Sequence, residues 1–202
     1  ELYFQAKLYT GDGTNGQAIT FDGSENMQPD WVWIKSRSGT AYHELHDSVR
    51  GASKRLFSND TAAESDVGTV SSFDSNGFTV SRNSSYDGTN QNSINFASWN
   101  WKAETAFSNS AGSNGATIAS TGRVNTTAGF SIVSYTGNGT AGATVGHGLG
   151  AVPQMYWVKS RSLGDGWRIY HDKVSSNPET DYLVLNNSNA AADYDGYWND
   201  TA

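Results

Sequence analysis

The 202-residue chain contains no cysteine, only three prolines and few charged residues, which make up 16% of it. Without cysteine no disulfide can hold the fold, which excludes a small secreted domain built on disulfides. The same absence favours a bacterial or viral protein made in a reducing cytoplasm. No run of about 18 apolar residues occurs, so the sequence predicts no membrane-spanning helix and no membrane partner.

Positive charge is also scarce. Thirteen Lys and Arg residues stand against 20 Asp and Glu residues, which gives a net charge of −7. Nucleic-acid binding needs basic residues gathered on one face, and here they are scattered along the chain. The sequence therefore predicts no nucleic-acid partner.

Glycine and aromatic residues are plentiful instead. The chain has 22 glycines and 12% aromatic residues. Disordered chains are poor in aromatic residues, so a folded protein is indicated. Short β-branched and aromatic runs, separated by Gly and Asn turns, predict about ten strands in an antiparallel β-sandwich.

Two parts of the chain repeat each other. Residues 29–38 read Pro-Asp-Trp-Val-Trp-Ile-Lys-Ser-Arg-Ser, and residues 153–162 read Pro-Gln-Met-Tyr-Trp-Val-Lys-Ser-Arg-Ser. Three further blocks match in the same order. They pair 9–14 with 135–140, 44–49 with 169–174, and 55–59 with 182–186. Four matched blocks in one order predict a tandem duplication.

The repeat suggests a division of the chain. Residues 1–5 resemble a protease recognition sequence and are interpreted as a cloning remnant outside the fold. Residues 6–102 are the first predicted sandwich, 103–128 a small, polar linker, and 129–202 the second sandwich. The second copy lacks counterparts of 78–80 and 94–101, so it is predicted to be incomplete. Strand exchange or a homo-oligomer would complete it.

A family resemblance rests on five motifs, at 9–14, 29–37, 46–51, 76–80 and 97–102. In this order they resemble a domain of uncharacterised bacteriophage virion proteins, often found in tail-fibre or similar surface proteins. The resemblance implies a jelly roll of the concanavalin A or LamG type. It also implies a place on the virion surface, contacts with other virion proteins and no established chemistry.

Aromatic residues are the first candidates for ligand binding. Trp33, Trp157 and Trp99 lie in strands of the repeat pattern, which favours core packing. Trp167 and Trp198 lie in polar loops of the second copy, and exposed loop aromatics are typical of sugar-stacking sites. The predicted glycan site therefore contains Trp167, Trp198, Tyr197, Asp165, Arg161 and Lys159.

The two basic residues in that set belong to the repeated Lys-Ser-Arg-Ser sequence. Lys159 and Arg161 alternate at a strand end, as Lys35 and Arg37 do in the first copy. They are interpreted either as charges that protect a strand end or as contacts for an acidic glycan or a neighbouring subunit.

Calcium is the one cofactor that the sequence suggests. The loop containing Asp193, Asp195, Asn199 and Asp200 has the oxygen ligands that calcium prefers, although turn chemistry alone explains the same residues. No other cofactor is predicted.

Catalytic patterns are incomplete. His46 and His171 each precede an aspartate, but a local hydrogen bond explains such a histidine better than general-base catalysis. Glu64 and Asp66 begin a glycosidase-like acidic string whose third acid is missing. The sequence thus predicts a non-catalytic virion adhesion or decoration module that binds a host-surface glycan. A purely structural virion module and a glycan hydrolase are the alternatives.

Overall fold

A computed structural model describes residues 2–82 and 88–198. Every regular element within these ranges is a strand, so the all-β prediction is confirmed. The strands are β1 Phe4–Thr10, β2 Asn15–Thr20, β3 Trp31–Ser36, β4 Glu44–Asp47, β5 Lys54–Phe57, β6 Ser65–Asp66, β7 Val70–Asp74, β8 Gly77–Ser81, β9 Asn95–Trp101, β10 Thr105–Asn109, β11 Ser120–Asn125, β12 Phe130–Tyr135, β13 Met155–Val158, β14 Arg168–His171, β15 Asp181–Val184 and β16 Ala192–Asp193.

The strands form four sheets. The central sheet has the order β1-β9-β3-β4-β5-β6, and the cover sheet has the order β2-β8-β7. The side sheet is β10-β11-β12, and the outer sheet is β13-β14-β15-β16. Neighbouring strands run antiparallel throughout these sheets.

The first core lies between the central sheet and the cover sheet. Side chains alternate along β3, so Val32 and Ile34 point into this core and are fully buried. Phe96 from β9 and Phe78 from the cover sheet fill it with them. The two sheets therefore form a β-sandwich around aliphatic and aromatic side chains.

The second core lies on the opposite face of the central sheet. Trp31 and Trp33 alternate with the residues of the first core and pack against Trp157 of the outer sheet. The ring centroids lie 6.5 Å apart for Trp31 and Trp157 and 5.8 Å apart for Trp33 and Trp157, both edge to face. Cover sheet, central sheet and outer sheet thus make three layers.

Matched blocks of the repeat form matched strands, but their registers differ. Trp33 pairs with Leu45 across β3 and β4, whereas Trp157 pairs with Ile169 across β13 and β14. The sequence match would align Leu45 with Tyr170. This shift by one residue turns Ile169 into the second core and Tyr170 to the opposite face, because side chains alternate in strands. The tandem and jelly-roll interpretations stay predictions.

Three predicted boundaries are wrong. Residues 4 and 5 do not lie outside the fold, because Phe4 pairs with Trp101 and the Gln5 side chain is buried. The predicted linker 103–128 contains β10 and β11. The boundary before residue 129 cuts a hairpin, since Asn125 of β11 pairs with Phe130 of β12. Small, polar residues there mark strands of a half-exposed sheet.

Asp30 joins the side sheet to the central sheet. Its buried carboxylate accepts a hydrogen bond from the Ser48 hydroxyl at 2.6 Å and forms an ion pair with Arg123 of β11, whose Nε lies 2.8 Å away. The other oxygen accepts the backbone N–H groups of Ala103 and Glu104, both at 2.8 Å. These bonds hold Glu104 in the left-handed region, with φ of 62°.

We expect Asp30→Asn to lower the free energy of unfolding by about 3 kcal/mol, because an amide cannot replace both carboxylate oxygens as acceptors of the three hydrogen bonds and leaves Arg123 without its counter-charge. Urea denaturation followed by tryptophan fluorescence measures this. Asp22→Asn is the control, because Asp22 bonds Lys7 on the surface with 77% of its side chain exposed. Equal losses in the two variants would contradict the role of Asp30.

Candidate functional site

An aromatic cleft opens where the outer sheet stops covering the central sheet. It has a volume of about 250 Å³ and is lined by Trp33, His43, Trp99 and Trp101. Trp33 lies on β3, Trp99 and Trp101 lie on β9, and His43 directly precedes β4. Direct pairing of Trp33 with Trp99 brings their side chains to one face.

The rings of the cleft are set at an angle to one another. Trp33 and Trp99 have centroids 6.1 Å apart at an interplanar angle of 67°. Trp99 is 36% exposed, so part of its indole surface is open to solvent. On the other side of Trp101, Phe4 lies 4.8 Å away and Phe130 6.2 Å away between centroids. The cleft therefore presents fixed aromatic surfaces without a deep cavity.

His43 is the polar group of the cleft. Its Nδ1 accepts the indole N–H of Trp33 at 3.1 Å. Indole nitrogen can only donate, so Nδ1 carries no proton and the proton of the neutral ring is on Nε2. Partial burial and the charge of Lys35 lower the pKa of His43, which favours this neutral form. His43 thus supplies the cleft with an N–H donor.

The sequence assigned these residues differently. Trp33 and Trp157 pack between sheets, as expected, but the core prediction is wrong for the half-exposed Trp99. The alternation of β9 had placed Trp99 and Trp101 on one face, which the pairing confirms. The exposure of Trp99 could not be predicted from the sequence, because it depends on how much of β9 another sheet covers.

Trp167 and Trp198 are buried, which contradicts their prediction as exposed stacking rings. Trp167 is 3% exposed in the second core, and its indole N–H donates to the carbonyl of Phe57 at 2.7 Å. Trp198 is 8% exposed, donates to the carbonyl of Asp181 and packs edge to face on Tyr156 at 4.9 Å. The two rings therefore pack against the outer sheet and are not available for stacking on a sugar.

Two other predicted residues come together through Arg168. Its Nε donates to the Tyr197 hydroxyl at 2.7 Å, and its Nη2 lies 3.2 Å from the Asp165 carboxylate. The guanidinium also lies 5.2 Å from the centroid of the Tyr197 ring. Tyr197 and Asp165 therefore hold a turn and the last described segment against the outer sheet.

Lys159 and Arg161 also serve internal contacts. The Lys159 ammonium donates to the carbonyls of Ser160 at 2.7 Å and Leu163 at 3.1 Å. Lys35 makes the equivalent bonds to its own turn at the same two distances. The repeated Lys-Ser-Arg-Ser sequence is therefore a turn closed by its lysine.

Arg161 bridges the outer sheet to the segment before β6. Its guanidinium makes two hydrogen bonds to the carboxylate of Glu64, at 2.8 and 2.9 Å. Arg50 donates to the same carboxylate at 3.1 Å. Glu64 therefore balances the charge of Arg161, which weakens the interpretation of Arg161 as a contact for an acidic glycan.

The acids proposed for a hydrolase are poorly suited to proton donation. Burial raises the pKa of Glu64, but hydrogen bonds from Arg161 and Arg50 outweigh it and leave the pKa lowered. Hydrogen bonds from Lys54 and Ser53 lower the pKa of Asp66. A general acid needs a raised pKa near the working pH.

His46 is bonded locally, as predicted. Its ring nitrogens lie 2.8 Å from the carbonyl of Ala52 and 3.1 Å from the carboxylate of Glu44. Thr69 donates to the same Glu44 oxygen at 2.7 Å. All three side chains are buried, so the group satisfies polar atoms inside the sandwich.

The calcium prediction falls partly outside the described residues. Asp193 ends β16 and Asp195 begins the last described turn, whereas Asn199 and Asp200 lie beyond residue 198. Residues 2–82 and 88–198 contain no group of three or more His, Asp or Glu side chains arranged to hold a metal ion. Calcium binding by the four-residue set stays a prediction.

We expect Trp167→Ala to lower the free energy of unfolding by about 3–5 kcal/mol, because it leaves a cavity in the second core and removes the hydrogen bond that the indole donates to the Phe57 carbonyl. Chemical denaturation measures the loss. Trp99→Ala is the matched control and should cost much less, since Trp99 is partly exposed. Equal losses of unfolding free energy in the two variants would contradict the difference in burial between Trp167 and Trp99.

Stability should also respond to the charge of His43. Its pKa is lowered in the folded protein, so the unfolded chain binds the proton more readily below the ordinary pKa of about 6.5. The contribution of His43 is complete above that pH and decreases as the pH falls through the window below it. Melting curves from pH 8 to 5, compared with those of His43→Gln, isolate the effect. Parallel curves would contradict it.

Comparison with known proteins gives a family without a function. Searches of curated proteins and of solved structures each found no match. The described residues contain no helix long and apolar enough to cross a membrane. One family model, for a domain of unknown function (DUF7483), matches residues 1–202. The chain therefore belongs to the DUF7483 domain family.

Proposed function

We propose that the chain is a non-catalytic adhesion module of the bacteriophage virion surface that binds a host-surface glycan in the aromatic cleft. The observation that carries this proposal is the half-open set of rings at Trp33, Trp99 and Trp101, with the Nε2–H donor of His43 beside them. The family resemblance described above supplies the virion setting.

Sugar rings suit such a surface because one face of a pyranose carries mainly C–H groups. Indole faces take up apolar area while a nearby donor fixes orientation, as in other small-molecule sites. The cleft is shallow, so one site should be weak, about millimolar or −4 kcal/mol. Several copies on one virion would raise attachment through effective concentration.

The contacts of the acidic residues support a binding role over hydrolysis. Glu64 is held by two arginines and Asp66 by Lys54 at 2.7 Å, so neither carboxylate is placed as a proton donor. Glycosidases position two such acids on either side of the scissile bond.

A structural virion module is the second candidate. Phe4 and Leu8 on edge strand β1 are 42% and 60% exposed and lie on the same face as Trp99. An exposed apolar strip beside an unpaired strand edge is typical of protein contacts. This candidate predicts that Leu8 and Trp99 are covered by another virion protein.

A substitution in the aromatic cleft distinguishes glycan binding from a purely structural role. We expect Trp99→Ala to weaken binding at least about tenfold, or 1.4 kcal/mol, because it removes the most exposed ring. A glycan array identifies an oligosaccharide, and isothermal titration of both proteins with it gives the affinities. Leu8→Ala is the control, being exposed and apolar but outside the cleft, and should bind as the wild type does. Loss of binding in both variants, or in neither, would overturn the assignment of the cleft.

A further inference from the structure

A second cleft lies in the side sheet where β10 and β12 end and β11 begins. Its volume is about 280 Å³. Three hydroxyl residues stand side by side across its strands, since Thr121 pairs with Ser108 on one side and Ser134 on the other. Tyr135 and Arg161 complete the wall. We call this group the hydroxyl cleft.

Several polar groups of the hydroxyl cleft have no protein partner. Among the described residues, the side-chain hydroxyls of Ser108, Thr121, Thr136 and Tyr135 make no hydrogen bond. Cross-strand neighbours are spaced about 4.8 Å apart, so the hydroxyls of Ser108, Thr121 and Ser134 form a row of donors and acceptors at regular intervals. Such groups can bond a ligand rich in hydroxyls. Tyr135 also lines the cleft, but it follows Ser134 in β12, so its side chain leaves the strand on the opposite face.

The contacts of Arg161 decide which groups in one wall of the cleft can donate hydrogen bonds. Three of its five N–H groups are used, two by Glu64 and one by the Ser134 hydroxyl at 3.0 Å. Because Ser134 accepts that bond, its own proton is free to donate elsewhere. The cleft thus offers two remaining guanidinium protons and a serine proton without offering a net positive charge.

We infer that the hydroxyl cleft is a second carbohydrate subsite and that it selects uncharged sugars. This inference rests on the proposed glycan-binding function and adds a site on another sheet with a ligand class. The row at Ser108, Thr121 and Ser134 bonds sugar hydroxyls, and the two unused N–H groups of Arg161 donate to sugar oxygens.

Selection against acidic sugars follows from the Arg161 contacts. An acidic sugar would have to displace Glu64, which binds the guanidinium in two places and is also held by Arg50. Displacement would leave the Glu64 carboxylate, already partly desolvated, without Arg161 as a partner. The net charge of −7 adds a general repulsion.

The first experiment separates this subsite from the aromatic cleft. Wild type, Trp99→Ala and the double variant Ser108→Ala/Thr121→Val are titrated with neutral hexose and N-acetylhexosamine oligosaccharides. We expect the double variant to weaken binding about tenfold while its melting temperature is kept. Thr127→Val, on an exposed turn of the same sheet, is the control and should bind normally.

Each outcome has a distinct meaning. If only Trp99→Ala loses binding, the hydroxyl cleft is overturned and the proposed function stands. If only the double variant loses binding, the subsite stands and the aromatic cleft is overturned. If the wild type binds none of these neutral oligosaccharides, the hydroxyl cleft is overturned, and the glycan array alone decides the proposed function.

The second experiment tests the charge argument. Glu64→Gln frees Arg161 from its counter-charge, so affinity for oligosaccharides bearing uronic or sialic acid should rise about tenfold. Asp66→Asn removes one equal charge two residues away without touching Arg161, and should change nothing. Equal effects of the two variants, or a wild type that already prefers acidic sugars, would overturn the inference. If Glu64→Gln does not fold, the wild-type preference decides.

Discussion

Trp33 stands where the second core meets the solvent. Its indole packs edge to face on Trp157 and also lies against Trp99, and its N–H donates a hydrogen bond to His43. Trp157 of the outer sheet contacts Trp31 and Trp33, whereas Trp99 beside them is partly exposed. Rigid packing on one side therefore fixes the position of the open surface on the other, which is what a preorganised binding site needs.

Charged side chains mainly hold sheets together in this protein. Asp30 with Arg123 ties the side sheet to the central sheet, and Glu64 with Arg161 ties the outer sheet to the segment before β6. Because the chain has few charges, aromatic rings line one of the two clefts described above and hydroxyl groups line the other. That distribution agrees with a neutral, hydroxylated ligand better than with an ionic one.

Exposure was the property that the sequence predicted worst. Trp167 and Trp198 are flanked by Gly and Asp, which is typical of exposed loops, yet the chain folds both rings onto the faces of the outer sheet. Trp99 sits in an alternating strand, which is typical of a core, yet nothing within the described residues covers it fully. The local sequence pattern predicts strands and turns, but the burial of a side chain depends on which sheet packs against its strand.

The sequence by itself determined the β class and the alternation within strands, because β-branched and aromatic runs between glycine turns specify extended backbone locally. It also placed Trp99 and Trp101 on one face of β9, since the period of a strand is two residues. Only the tertiary structure decided the stacking of three sheets, the register shift that buries Ile169 and the position of both clefts. These depend on contacts between residues far apart in the chain, whose pairing no local pattern encodes.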